Sequence, residues 1–175
     1  MKPRPRLIAA SFVFAAALLA QTPPAPPPVN RDFDFWIGDW EVTTPDGRPA
    51  GTNRIESVSG GRGLLENWTG AVPPNAPAGT APTTGRSLNA YDPAKQKWRQ
   101  FWVGSGGQVL ELAGGLVEGK MVMSAERTRR DGRAVIDRIT WTPNADGTVR
   151  QHWEQSLDAG KTWTTAFDGL YRRKK

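Results

Sequence analysis

Short runs of alternating apolar and polar residues fill most of the chain, and turn residues separate them about every ten positions. A period of two is typical of β-strands, and Asp-Gly between such runs, as at Asp131-Gly132 and Asp146-Gly147, favours tight hairpins. No long stretch after residue 20 has the period of an amphipathic helix. The pattern predicts ten strands, at residues 39–44, 52–59, 63–70, 85–91, 96–103, 107–113, 116–124, 133–142, 147–156 and 161–172.

Nearly all of these strands follow one another through tight turns, which predicts an all-β fold. Sequential hairpins build an antiparallel up-and-down sheet, and closing that sheet removes its exposed edges. We therefore expect an antiparallel β-barrel of about ten strands, with a cavity inside if side chains do not fill it. A sandwich of two five-stranded sheets is the alternative, because spacing along the chain does not separate closure from stacking.

Only one predicted connection is long, residues 71–84, and it is rich in Pro, Ala, Gly and Thr. Such a segment is a candidate for a mobile flap over the mouth of a barrel. The simpler interpretation is a surface loop.

Aromatic residues are densest at the start of the predicted domain, in FDFWIGDWEV, residues 33–42. Each such side chain carries a large apolar area, so the cluster must be buried. We expect it to form a plug that leads into the first strand, where Trp40 and Val42 share one face.

The step Gly38-Asp39-Trp40 resembles the G-x-W opening of lipocalins and their calycin relatives. The whole opening, with SLNAYDPAKQKWRQFWV and RITWTPNADGTVRQHWEQSLDAGKTW, resembles a family of small secreted bacterial domains of unknown function. That resemblance covers residues 32–173 and implies a lipocalin-like, calycin-type barrel and export, with no assigned catalytic residues. It also implies that a basic residue of the last strand, Arg172 or Arg173, packs on Trp40.

The first residues read as a targeting segment. A basic start, an apolar stretch to Ala20 and small residues there predict a signal peptide over residues 1–20, with a retained anchor as the alternative. A proline-rich linker over residues 21–31 follows, and residues 32–175 are the predicted barrel domain. The absence of cysteine is compatible with a periplasmic or secreted protein that relies on its core. We expect no stable membrane insertion after cleavage.

Charge argues against a nucleic-acid partner. The formal net charge is +6, but the first twenty residues hold three basic and no acidic residues, and the last four residues are all basic. The domain body between them carries about −1. Aromatic and basic residues do alternate in KQKWRQFWV, a pattern seen in single-strand binders, but the neutral body and the predicted export count against that function.

Motifs for chemistry are sparse. Ser156 to Trp163 matches the Asp-box turn of sialidases, which we interpret as a structural hairpin turn. His152 is the only histidine, and its strand position predicts an outward side chain. A haem ligand, as in nitrobindin-type barrels, is the alternative, but the motifs of those proteins are absent. We predict no catalytic residue, no metal site and no cofactor.

Polar residues in register with tryptophans are the main candidates for a site. If the tryptophans mark the inside of the barrel, several polar residues line it too, and an apolar core would not select them. The predicted ligand-binding residues are Glu66, Trp68, Asn89, Gln100, Trp102, Arg138, Gln151 and Trp153. We therefore predict non-covalent binding of a small, partly apolar molecule. A hydrolase or isomerase using the same cavity, and a structural module of the cell envelope, are the alternatives.

Overall fold

The computed structural model describes residues 28–129 and 131–175. The predicted signal peptide and residues 21–27 of the predicted linker lie outside this part of the chain. A short 3₁₀ helix, Asp34–Trp36, precedes the first strand, and a second, Ser59–Gly61, connects two strands. The strands are β1 (Gly38–Thr43), β2 (Pro49–Val58), β3 (Gly63–Gly70), β4 (Thr84–Asp92), β5 (Lys97–Gly104), β6 (Val109–Val117), β7 (Lys120–Thr128), β8 (Ala134–Pro143), β9 (Val149–Ser156) and β10 (Thr164–Arg173).

All ten strands belong to one closed antiparallel barrel. Each strand pairs with its neighbours in sequence, and β1 closes the barrel by pairing with β10, with Trp40 opposite Arg173. The predicted ten-strand up-and-down barrel is therefore confirmed, and the two-sheet alternative is wrong. Closure pairs both edges of each of these ten strands with a neighbouring strand.

One end of the barrel is closed by the aromatic plug. Phe33 and Trp36 are fully buried, and their rings stack with centroids 4.9 Å apart. Phe33 also meets the edges of Trp98 and Trp141, at 5.7 and 5.2 Å. Such offset and edge contacts are the preferred geometries of aromatic pairs. The aromatic residues at the start of the domain thus close one end of the barrel, as the sequence predicted.

An arginine from the last strand seals this closed end. The Arg173 guanidinium lies over the Trp40 ring, 4.5 Å from its centroid, and donates a hydrogen bond to the Ile37 carbonyl at 3.1 Å. A Cβ on Gly38 would stand 2.3 Å from the Arg173 Nη1, so glycine makes room for the guanidinium. Of the two candidate arginines, Arg173 makes the contact. This geometry gives a physical reason for a glycine two residues before the tryptophan.

The opposite end of the barrel carries the longer turns. The segment 71–83 is a mostly exposed loop there, and it contributes no residue to the cavity lining described below. The turn after β9 has the predicted Asp-box geometry, since Asp158 accepts hydrogen bonds from the Lys161 and Thr162 amides at 3.0 and 2.9 Å. The Thr162 hydroxyl, which donates to the Asp158 Oδ2 at 2.6 Å, and the backbone amides of this turn lower the pKa of Asp158 to about 2. Among residues 28–129 and 131–175, no helix has the length and apolarity needed to cross a membrane.

Candidate functional site in the open half of the barrel

The half of the barrel away from the plug contains a cavity of about 190 Å³ that opens to solvent. It is larger than the roughly 150 Å³ apolar cavity that binds benzene in an engineered protein. Side chains from six strands converge on it. The lining residues are Glu66, Trp68, Gln100, Trp102, Leu110, Ile139, Gln151, Trp153, Ala166, Phe167 and Tyr171.

Three half-buried tryptophans and a phenylalanine form the walls. Trp68 packs edge-on against Phe167, with ring centroids 5.8 Å apart. Trp102 lies across Gly85, where a Cβ would be 2.0 Å from the indole ring. Glycine at this position lets the indole lie close to the β4 backbone. Together these rings give a rigid aromatic lining with few rotatable bonds.

Glu66 is the buried acid of the cavity, with 4% of its surface exposed. Its Oε1 accepts a hydrogen bond from the Asn53 amide at 2.7 Å, and its Oε2 accepts one from the Ser87 hydroxyl at 2.6 Å. Burial raises the pKa of Glu66 to about 7, although both hydrogen bonds act in the opposite direction. Within the described residues, no Arg, Lys or His forms an ion pair with Glu66.

A second hydrogen-bonded chain holds Gln100 in place beside this acid. The Gln100 Nε2 donates to the Asn89 Oδ1 at 2.8 Å, and the Asn89 Nδ2 donates to the Ser87 Oγ at 2.9 Å. Asn89 is fully buried and does not line the cavity. It therefore supports the site from behind instead of facing a ligand.

Tyr171 and Gln151 complete the polar part of the lining. The Tyr171 hydroxyl donates to the Gln151 Oε1 and accepts from the Asn53 Nδ2 at 3.3 Å. Burial, and secondarily the charge of Glu66, raise the pKa of Tyr171 well above its ordinary value. Tyr171 thus links the closed end, where its ring packs on Trp40 with centroids 6.1 Å apart, to the polar groups of the cavity.

A different buried acid, Asp137, fixes Trp153 in the wall. The indole Nε1 of Trp153 and the Nε2 of Gln155 each donate to the Asp137 Oδ1 at 2.8 Å. The Arg127 Nε donates to the Asp137 Oδ2 at 2.7 Å. Asp137 therefore has one cationic donor and two neutral donors, whereas Glu66 has two neutral donors.

The structure brings six of the eight predicted residues to the cavity surface: Glu66, Trp68, Gln100, Trp102, Gln151 and Trp153. The prediction that Arg138 lines the interior is wrong. Its guanidinium lies outside, 3.8 Å over the Trp163 ring, with the Glu154 carboxylate at 3.0 Å. On β8 the buried face carries Val135, Asp137, Ile139 and Trp141, the opposite parity from the one we assigned. Trp141 is the signal that identifies this parity in the sequence.

Several lining residues were missed by sequence reasoning. Leu110, Ile139 and Phe167 are ordinary apolar strand residues, and nothing in the chain marks them as neighbours of Glu66. Tyr171 lies in the predicted C-terminal strand, and no sequence motif marks it as a cavity residue. These contacts join strands far apart in sequence, so they depend on closure of the barrel.

His152 lies on the outer face, where its Nε2 is 3.0 Å from the Thr165 hydroxyl. Within the residues that the structure describes, no group of three or more His, Cys, Asp or Glu side chains is arranged to hold a metal ion. The polar groups of the cavity are thus carboxyl, amide and phenol groups.

Comparisons with known proteins assign no family. A scan of the chain against models of protein families gives no match, and a comparison with curated proteins also gives none. The resemblance to a family of secreted domains of unknown function stays a prediction.

Proposed function

We propose that this barrel binds a small, partly apolar molecule non-covalently in its open half. The observation that carries the proposal is the cavity itself. Indole rings form its walls, and Glu66, Gln100 and Gln151 face into it. Hydrogen bonds within the protein fix the orientations of these three side chains. Ligand sites are typically apolar pockets with a few well-placed polar groups, and preorganisation reduces the entropy lost on binding.

Two measurements test the proposal. Native mass spectrometry of the purified protein, before and after denaturation, detects a co-purified molecule. Titration with benzyl alcohol, a neutral one-ring probe that matches the cavity volume, is followed by tryptophan fluorescence because three tryptophans line the site. A saturable fluorescence change at millimolar probe or below supports binding in the cavity.

A matched pair of variants locates that binding. Ala166 lines the cavity at its mouth, so Ala166→Phe should weaken benzyl alcohol binding at least about ten-fold by filling space. Ala134 is exposed on β8, beside the inward-facing Val135, and Ala134→Phe makes the same change outside. Equal binding by both variants, together with no co-purified molecule, would contradict the proposal.

An enzyme acting in the same cavity is a second candidate, favoured by Glu66. A carboxyl group whose pKa is raised to about 7 is suited to donate or accept a proton near neutral pH. A hydrolase or isomerase would use Glu66 in that role. Turnover of a small ester or ketone that disappears in Glu66→Gln, while benzyl alcohol binding persists, would favour this candidate. A purely structural module of the cell envelope is less favoured, since the cavity remains open.

We also propose that the protein works in the periplasm or outside the cell. The support is the sequence pattern of residues 1–20, a basic start followed by an apolar stretch. Cell fractionation, with the mass of the protein measured in each fraction, tests this location. Full-length protein confined to the cytoplasm would overturn it.

A further inference from the structure

Among residues 28–129 and 131–175, no Arg, Lys or His side chain forms an ion pair with the Glu66 carboxyl. Both of its oxygens accept hydrogen bonds, from Asn53 and Ser87, which is the pattern of contacts an ionised carboxylate needs. It is buried and faces the cavity. A buried charge is normally paired, because removing it from water costs several kcal/mol. No positive group of the described residues therefore balances the negative charge that Glu66 carries when it is ionised.

The neighbouring strands do not supply that positive group. From β2 and β4, Glu66 is faced by Asn53 and Ser87, and from β10 by the Tyr171 phenol, none of which carries a positive charge. The ion pair nearer the mouth, between Arg127 and Asp137, joins those two residues to each other at 2.7 Å. Asp137 thus has its cation from the protein, whereas a positive partner for the ionised form of Glu66 would come from the cavity side.

The walls of the cavity suit a cation as well. Indole rings attract cations to their faces, and aromatic cages recognise ammonium groups in this way. Trp68, Trp102 and Trp153 line the same space as the Glu66 carboxyl. A cation bound there gains both a charge-assisted hydrogen bond and contact with aromatic surfaces.

We infer that the ligand of this cavity is a small organic cation, whose ammonium group pairs with Glu66 while its apolar part lies among the three tryptophans. The inference rests on the proposed function of the cavity as a binding site and adds the class of ligand. The volume of about 190 Å³ limits the enclosed part to about one six-membered ring with its charged substituent.

Three probes that share a phenyl ring test the charge preference: benzylamine, which is cationic, benzyl alcohol, which is neutral, and phenylacetate, which is anionic. At pH 8 we expect benzylamine to bind at least about ten-fold more tightly than benzyl alcohol, and phenylacetate to bind most weakly. Isothermal titration calorimetry on the purified protein measures all three. Glu66→Gln should remove the preference for benzylamine over benzyl alcohol.

The pH dependence gives an independent readout. Only the ionised carboxylate pairs with an ammonium group, and the pKa of Glu66 is raised to about 7 by burial. Benzylamine stays charged from pH 6 to pH 8, so its affinity should rise roughly ten-fold over that interval as Glu66 ionises. The affinity of benzyl alcohol, and of benzylamine for Glu66→Gln, should change little.

The outcomes separate the two proposals. If benzyl alcohol binds in the cavity as tightly as benzylamine, or phenylacetate binds more tightly, the cation inference is wrong and the binding function stands. If Glu66→Gln keeps the full preference for benzylamine, the inference is also wrong. If none of the three probes binds and nothing co-purifies, both proposals fail.

Discussion

The buried Glu66 carboxyl predicts a specific loss of stability as the pH rises. In the unfolded chain this carboxyl has its ordinary pKa of 4.5, and in the folded barrel burial raises the pKa to about 7. Between these values the unfolded state releases a proton that the folded state keeps. The free energy of unfolding therefore falls with increasing pH from about pH 4.5, and the full effect is reached above pH 7.

The magnitude follows from the two pKa values. At 1.36 kcal/mol per pH unit, Glu66 alone destabilises the barrel by about 3 kcal/mol at pH 8 relative to pH 4. The Gln side chain does not ionise, so Glu66→Gln removes this contribution. The variant loses some hydrogen-bond quality at every pH, since its amide group faces the Ser87 hydroxyl. The informative quantity is therefore the slope of stability against pH, and not the stability at one pH.

Urea unfolding of wild type and Glu66→Gln, followed by tryptophan fluorescence at pH 4, 5, 6, 7 and 8, measures that slope. The difference in unfolding free energy between the two proteins should shift by about 3 kcal/mol in favour of the variant across this range. Glu111→Gln, which removes an exposed carboxyl on the outer face of β6, is the control for the loss of one charge. Parallel pH profiles for wild type and Glu66→Gln would refute a buried, uncompensated carboxyl in the cavity.

Urea unfolding of three further variants tests the contacts that hold the cavity walls and the closed end of the barrel. Gly85→Ala places a methyl group where the Trp102 ring lies, so we expect about 1–3 kcal/mol of destabilisation and a shifted fluorescence maximum. An unchanged spectrum would contradict the contact. Arg127→Ala leaves the buried Asp137 carboxylate without its cation and should cost about 3 kcal/mol, whereas a loss below about 1 kcal/mol would show that the neutral donors suffice. Arg173→Leu removes the guanidinium from the indole at the closed end and should cost about 1 kcal/mol, with no effect on benzyl alcohol binding.

The strands and their order are local properties, and the sequence determined them. Period-two alternation and turn residues located eight of the ten strands within about three residues of their observed bounds, since hairpins depend on residues adjacent in the chain. The end of the sixth strand and the whole seventh strand were predicted four residues too early, because Gly114 and Gly115 belong to β6 and the turn lies at Glu118-Gly119. The aromatic plug was predictable for the same kind of reason, because so much apolar area in residues 33–42 has to be buried. The facing of most site residues followed from the alternation with tryptophan.

Facing was predicted correctly where the site residues alternate with tryptophan, as on β5, although the outer face of that strand carries Phe101 and Val103. On β8, Arg138 alternates with Ile136 and Thr140, which predicts an inward side chain, but Arg138 stacks on Trp163 outside the barrel. Both faces of that strand carry apolar residues, so their alternation alone is ambiguous, and only Trp141 marks the face that points inward.

Only the tertiary structure determined the shape and the polar contacts of the barrel interior. Closure of β1 on β10 brings Tyr171 beside Asn53 and Glu66, residues more than a hundred positions earlier in the chain, and no local pattern encodes that contact. The plug fills one half of the barrel and leaves the other half open, which depends on the packed volumes of side chains from all strands. The lack of an ion pair between Glu66 and any described residue is likewise a property of the fold. A carboxyl group in a strand is solvated until folding buries it, and the sequence alone does not show whether a cation is buried beside it.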